Sequence, residues 1–301
     1  MQYLEKPLSQ LLNVARSRPQ RRLVVAAAED KSVLQAVWEA RNEKIVAPVL
    51  VGDSAKIREI LRQLGGNADD WEIIHEPDAS AAASRSVGLI REGKGEILMK
   101  GYLPTAVLLK AVLHKENGIR ESSMLSHVTL FEIPSYQKLL GLSDAAISIQ
   151  PTVEEKAEII RNAVKVFHRL GVEKPLVAVL CPVETVNPKI ESTVHAAMLA
   201  VMQVRKQIPG CIIDGPLAMD NAISAEAARH KHIESPVAGN ADILIAPDLD
   251  AANILYKSLI FFAGAVSAAI ITGARVPVVL TSRADSERSK LLSIALAAAL
   301  E

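Results

Sequence analysis

Near the end of the chain, the run 277–287 places Ser282, Arg283, Asp285 and Glu287 just past an apolar stretch, where a helical pattern begins. A helix N-terminus favours anions, and an arginine fork binds phosphate or carboxylate in a plane. The plainer role for these residues is capping, with Ser282 as the cap and Asp285 complementing the helix dipole. A second constellation, 246–257, enters a helix on which Asn253, Tyr256 and Lys257 stand at i, i+3 and i+4 and therefore share a face. That face either holds a phosphate or a carbonyl, or is ordinary solvated surface with Asp248 or Asp250 as cap.

Other chemistry-bearing residues read as structural. The run Gly88 to Gly95 is one hydroxyl short of a phosphate-binding loop and fits a helix end and turn. His230 and His232 are bracketed by Arg229 and Lys231, which repel cations, and no other stretch has metal-ligand spacing, so no metal is expected. Cys181 follows an apolar run. A thioacyl-enzyme route through it and His195 is the sharper reading, and a buried small hydrophobe the simpler one.

The elements that must position these groups are short branched apolar runs alternating with amphipathic stretches along the whole chain, the pattern of parallel βαβ units. Strands are expected at 23–28, 47–51, 72–74, 96–99, 127–131, 145–149, 176–180, 211–214, 243–246 and 277–281. Helices are expected at 153–170, 190–207 and 285–300, the first started by Thr152 with Glu154 and Glu155 in its opening turn. Most strands lack alternation, so helices should cover both sheet faces. The expected class is α/β, a two-lobed three-layer α/β/α arrangement with mainly parallel sheets. The lobes comprise 1–126 plus 283–301, and 127–282. Ligands in such sheets sit beyond the carboxyl ends of strands.

Composition narrows the function classes. The 301 residues carry 34 basic and 34 acidic groups, which gives no basic field for a nucleic acid partner. Half the residues are apolar, enough for a large core. The opening residues break at Pro7 before any apolar run, so no leader is expected, and two separated cysteines suit reduced thiols in the cytoplasm. The charge-free segment 258–274 is expected to be a buried helix running into a turn and a strand, with no membrane partner.

Four motifs in register carry a resemblance. They are Lys100-Gly101 with Thr105; Asp214, Gly215 and Pro216 ahead of Asp220-Asn221; Asp242 to Asp248 with Asn253, Tyr256 and Lys257; and Pro277 to Asp285 with Ser282-Arg283. In these the chain resembles the phosphate acyltransferase family, its butyryl branch more than its acetyl branch. The resemblance implies a fold like that of isocitrate and isopropylmalate dehydrogenases, an active site in the interdomain cleft, and a homodimer or larger assembly. It also implies reversible transfer of a short acyl group between coenzyme A and inorganic phosphate, by direct attack in a ternary complex. CoA and phosphate are then substrates, and no cofactor is expected.

In the family a Ser-Arg pair ending the last strand and a nearby Asp carry the chemistry, and Ser282 and Arg283 match the pair. The acid that the acetyl branch has seven residues after the Ser is here Ser289, so Asp285, ahead of Glu287, is expected to take the thiol proton. Ser282 would donate to the oxyanion, and Arg283 would pair with phosphate, completed by Lys257, Asn253 or Thr105. An arginine of the acetyl branch is replaced by Phe261-Phe262. Phe261 is expected to offer apolar surface to a longer acyl tail, where two methylenes give about a tenfold preference. The alternatives are a phosphate acetyltransferase, a non-catalytic acyl-CoA-binding or nucleotide-binding protein of the same fold, and an NAD-linked decarboxylating dehydrogenase, for which no metal or nicotinamide motif is found.

Overall fold

A computed structural model describes residues 6–281 and 285–300, which form two compact units, Ser9–Ser123 with Ala268–Glu301 and Met124–Ser267 with Met1–Leu8. The first unit alternates α1 (Gln10–Arg16), β1 (Arg21–Ala26), α2 (Lys31–Asn42), β2 (Val46–Gly52), α3 (Ser54–Gln63), β3 (Glu72–His75), α4 (Ala79–Arg91), β4 (Ile97–Lys100) and α5 (Thr105–Val112). Its strands lie in the order β3-β2-β1-β4 and all pair in parallel. Leu23 to Ala28 are fully buried without alternation, as a strand covered on both faces requires. Helices α2, α3 and α4 each start at an aspartate, Asp30, Asp53 and Asp78, whose carboxylate accepts from backbone N–H groups of the first turn. Each such cap is worth about 1 kcal/mol.

The second unit contains β5 (Ser126–Glu132), β6 (Leu140–Ser143), α6 (Val153–Arg169), β7 (Leu176–Leu180), α7 (Glu191–Val204), β8 (Ile212–Leu217), α8 (Met219–Ile223), α9 (Ala225–His230), β9 (Ile243–Ile245) and α10 (Leu249–Phe261). The order is β5-β6-β9-β7-β8, antiparallel between β5 and β6 and parallel elsewhere. Helix α6 opens with the expected cap, completed as a box: Thr152 Oγ1 accepts from Glu155 N, and the Glu155 carboxylate from Thr152 N. The strand expected at 145–149 is not formed. Asp144 folds that stretch into a turn by accepting from Ala146 N, Ile147 N and Ser148 Oγ, a local alternative to ladder pairing. The strand lies upstream as β6, where Gly141 lets the Phe167 ring of α6 come within 2.7 Å of where a Cβ would stand.

The chain then returns through β10 (Val266–Thr272), β11 (Val278–Val279) and α11 (Glu287–Ala299). β11 joins β4 in parallel and β10 pairs antiparallel with β11. The crossing back thus falls at Ala268, not at 283, because the β10–β11 pairing draws 268–281 into the first unit. The segment 258–274 is the exposed end of α10, a turn and β10. No described helix is long and apolar enough to cross a membrane. α11 is buried all round, from Ser289 to Ala299, as a helix packed among α1, α2 and the sheet must be.

Candidate active site

The loop after β4 is set by backbone proximity. Gly101 N donates to Ala26 O and Tyr102 N to Ala27 O, and a Cβ on Gly101 would stand 2.0 Å from Ala27 O. Only glycine fits. The Lys100 ammonium, in an 8% exposed residue, folds back to donate to Gly101 O and Leu103 O at 3.2 and 3.3 Å, so it clasps its own loop. Thr105 opens α5 and is half-buried.

In the second unit, Asp214, Gly215 and Pro216 lie within β8. Asp214 Oδ1 accepts from Gly215 N, and a Cβ on Gly215 would meet Val179 at 3.0 Å, next to a register shift between β7 and β8. Asp248 caps α10 by accepting from Ala251 N at 2.8 Å. One turn on, Asn253 Nδ2 donates to Ala145 O at 3.3 Å. Tyr256 packs edge-on against Phe131, with ring centroids 5.3 Å apart, and 6.3 Å from His127. Lys257 is exposed. A cavity of about 410 Å³ opens beside α10, lined by Ala145, Ala146, Leu249, Asp250, Asn253 and Ile254. Of the expected helix face only Asn253 reaches it. Phe261 is 70% exposed, outside this cavity.

Ser282 and Arg283 lie outside the described residues. Beyond them, Ser286 and not Ser282 caps α11, accepting from Ser289 N. The Ser289 hydroxyl lies 3.1 Å from the Ser286 hydroxyl, so the position that should hold the acid is a buried part of the helix cap. Asp285 is half-buried, and its carbonyl accepts from the Nζ of buried Lys290 at 2.5 Å. Glu287 is exposed in the first turn.

A partly buried polar cluster beyond the motifs lies near Cys181. Lys156, 3% exposed, places Nζ 3.1 Å from His195 Nδ1. Burial holds the Lys156 pKa below its usual range, with Cys181, Glu191 and Asp248 pulling the other way. Burial pushes the Cys181 thiol up, against the pull of Ser192 and Lys156, and pushes Cys211 to about 11. Cys181 is therefore a poor nucleophile at neutral pH. The signal for Lys156 was its place on the buried face of α6, in step with Ile160, Ala163 and Phe167.

The family model described as phosphate acetyl/butaryl transferase matches residues 7–86 and 78–298. The chain belongs to this family. It is 43% identical to a phosphate butyryltransferase of Clostridium acetobutylicum, with 97% of each chain covered. It is 45% identical to a phosphate acetyltransferase of Thermotoga maritima, with 97% of this chain and 98% of the relative covered. Among solved structures, a branched-chain phosphotransacylase from Enterococcus faecalis V583 superposes with a TM-score of 0.83 at 34% identity, over 93% of this chain and 99% of that one. A 4-hydroxythreonine-4-phosphate dehydrogenase of Klebsiella pneumoniae matches at a TM-score of 0.54 and 16% identity, covering 92% of this chain and 98% of that one, which shows the shared dehydrogenase-like fold alone. As a member of the phosphate acetyl/butyryl transferase family the chain is an acyltransferase.

Proposed function

We propose that the chain exchanges a short acyl group between coenzyme A and inorganic phosphate, with butyryl-CoA and phosphate giving butyryl phosphate and CoA by direct attack in a ternary complex. The observation that carries this reading is the family match from residue 7 to residue 298, with relatives of both the butyryl and the acetyl kind at similar identity. Toward acyl phosphate breakdown, the CoA sulfur attacks the acyl carbonyl as its proton leaves, and phosphate departs. Asp285 accepts that proton, Ser282 donates to the oxyanion, and Arg283 pairs with the phosphate beside Lys257 or Thr105. Ser289 supports the choice of Asp285, since a hydroxyl engaged in the α11 cap supplies no base. No cofactor takes part in this scheme, and the enzyme works in the cytoplasm as a homodimer or larger assembly.

The butyryl preference rests on Phe261, which with Phe262 stands where the acetyl branch has an arginine. About 0.8 kcal/mol for each of two methylenes gives roughly a tenfold advantage over acetyl. The test is release of free thiol from acetyl-, propionyl-, butyryl- and isobutyryl-CoA in the presence of phosphate. Butyryl-CoA is expected to give the highest kcat/KM. An equal or higher value for acetyl-CoA would make the chain a phosphate acetyltransferase, and saturable binding with no thiol release would leave a binding protein.

A further inference from the structure

We infer that the cavity beside the first turns of α10 holds the amide-bearing arm of a CoA thioester, with the Ala145-Ala146 turn as one wall. The inference rests on the transferase reading above, and adds to it the part of the substrate that this cavity takes. At about 410 Å³ the cavity falls within the span of ligand pockets, roughly 300–1,000 Å³.

Its walls are held from both sides. The Asp144 carboxylate, itself buried, accepts from Ala146 N, Ile147 N and Ser148 Oγ and so fixes the turn. Opposite, Asp248 caps α10 through Ala251 N, and Leu249 N donates to Ile149 O, which ties the helix start to the end of that turn. Asn253 Nδ2 then spans the two walls to Ala145 O.

The lining selects its ligand by exclusion. None of the six residues is a cation, and the one charged group is the carboxylate of Asp250. A phosphate here would meet like charge and methyl groups with no ammonium or guanidinium to offset its desolvation. Asn253 offers the opposite character. Its Oδ1 takes no hydrogen bond among the described residues, and Nδ2 spends one hydrogen on Ala145 O, so an acceptor and a donor remain side by side. That pair complements a secondary amide, while Ala146, Leu249 and Ile254 complement short alkyl segments. Coenzyme A divides into a nucleotide bearing phosphates and a neutral arm of two amides joined by short alkyl chains, ending in the thiol. Only the arm matches. Asn253 is thereby removed from the phosphate ligands and given to the thioester.

Ala146 is exposed, so a larger side chain there fills the cavity without entering the core. The test compares wild type, Ala146→Leu and Asn253→Leu, with butyryl-CoA and S-butyryl-pantetheine as acyl donors and 3′,5′-ADP as an inhibitor carrying only the nucleotide half. Both variants are expected to raise KM for the two thioesters about tenfold, ~1.4 kcal/mol. KM for phosphate and the inhibition constant of 3′,5′-ADP should stay at the wild-type values. A rise in phosphate KM with unchanged thioester KM, a loss of 3′,5′-ADP affinity, or no change in any constant would each overturn the assignment. Wild-type protein that releases no thiol from butyryl-CoA would instead refute the transferase reading, so the two failures are told apart.

Discussion

Lys156 points its ammonium at Nδ1 of His195 from 3.1 Å, joining the first turn of α6 to α7 in a setting from which water is largely excluded. An ammonium has only donors, so Nδ1 must accept, and the His195 proton sits on Nε2. Burial first, and then Lys156, hold the His195 pKa below its ordinary 6.5, with Glu191 and Glu154 partly opposing.

The consequence is a pH dependence of known sign. Between the depressed folded value and 6.5 the unfolded chain binds more protons, so stability rises with pH there and is lost as acid is added below about 6.5. For Lys156 the same inequality holds on the alkaline side, below 10.5, where losing the buried charge relieves its cost. Proton NMR of the His195 ring should show titration below 6.5 in wild type and a shift upward in Lys156→Met. A wild-type value at or above 6.5 would contradict the pairing.

Cys181 is predicted to be dispensable for turnover. The residue is 8% exposed and its thiol pKa is raised chiefly by burial, so little thiolate exists at neutral pH. Cys181→Ala should keep kcat within about twofold and cost about 1 kcal/mol of stability through lost packing. Slow modification by a thiol reagent, accelerated by denaturant, would accompany it. A loss of kcat of about a hundredfold or more would instead support a covalent acyl-cysteine route.

Two glycines should respond in opposite directions to alanine. Gly101→Ala drives a methyl to 2.0 Å from Ala27 O, where the neighbour is backbone and cannot yield cheaply. A loss of about 2–4 kcal/mol is expected, together with lower kcat/KM as the Lys100 loop shifts. Gly88 lies inside α4 with nothing within 4 Å of an added Cβ. Gly88→Ala should stabilise by about 0.5–1 kcal/mol. Urea unfolding of both variants checks the pair, and equal effects would refute the close approach at Gly101.

The same contrast explains what the sequence could and could not show. β7 was legible because a branched apolar run at 176–180 is bounded by Pro175 and Pro182. The run at 145–149 looked alike, but Asp144 satisfies its backbone locally, and periodicity carries no sign of a side chain that outcompetes a ladder. Within 258–274 the order helix, turn and strand was legible, and the turn falls at Gly264, whose φ of +62° follows the end of α10 before β10 begins. Within the candidate site, Asp248 and Asn253 announced themselves by type. Lys100 was named by its motif, and the fold adds that its ammonium also donates to the carbonyls of its own loop. Ala145 and Ala146 carry no chemistry of their own, and only the folded turn shows that they form a wall.

The end of α10 carries the last prediction. Phe262, the residue that follows the last residue of α10, is 91% exposed, and Val266 is also exposed, so a large ring that the proposed acyl contact of Phe261 does not use lies in water in the single chain. Covering a phenylalanine is worth about 1.5–3 kcal/mol, and in a two-fold dimer each residue is covered twice, so one position contributes about 3–6 kcal/mol to association. A proposed homodimer that uses this face should be broken by Phe262→Asp, which adds a charge where a ring was buried and weakens association by about a hundredfold or more. Light scattering coupled to size exclusion should show a dimer or larger species for wild type and a monomer for the variant, with far-UV circular dichroism unchanged. Were Phe262→Asp to retain the wild-type mass at equal concentration, the contact between copies would have to lie on another face, and the exposed ring would need a different partner.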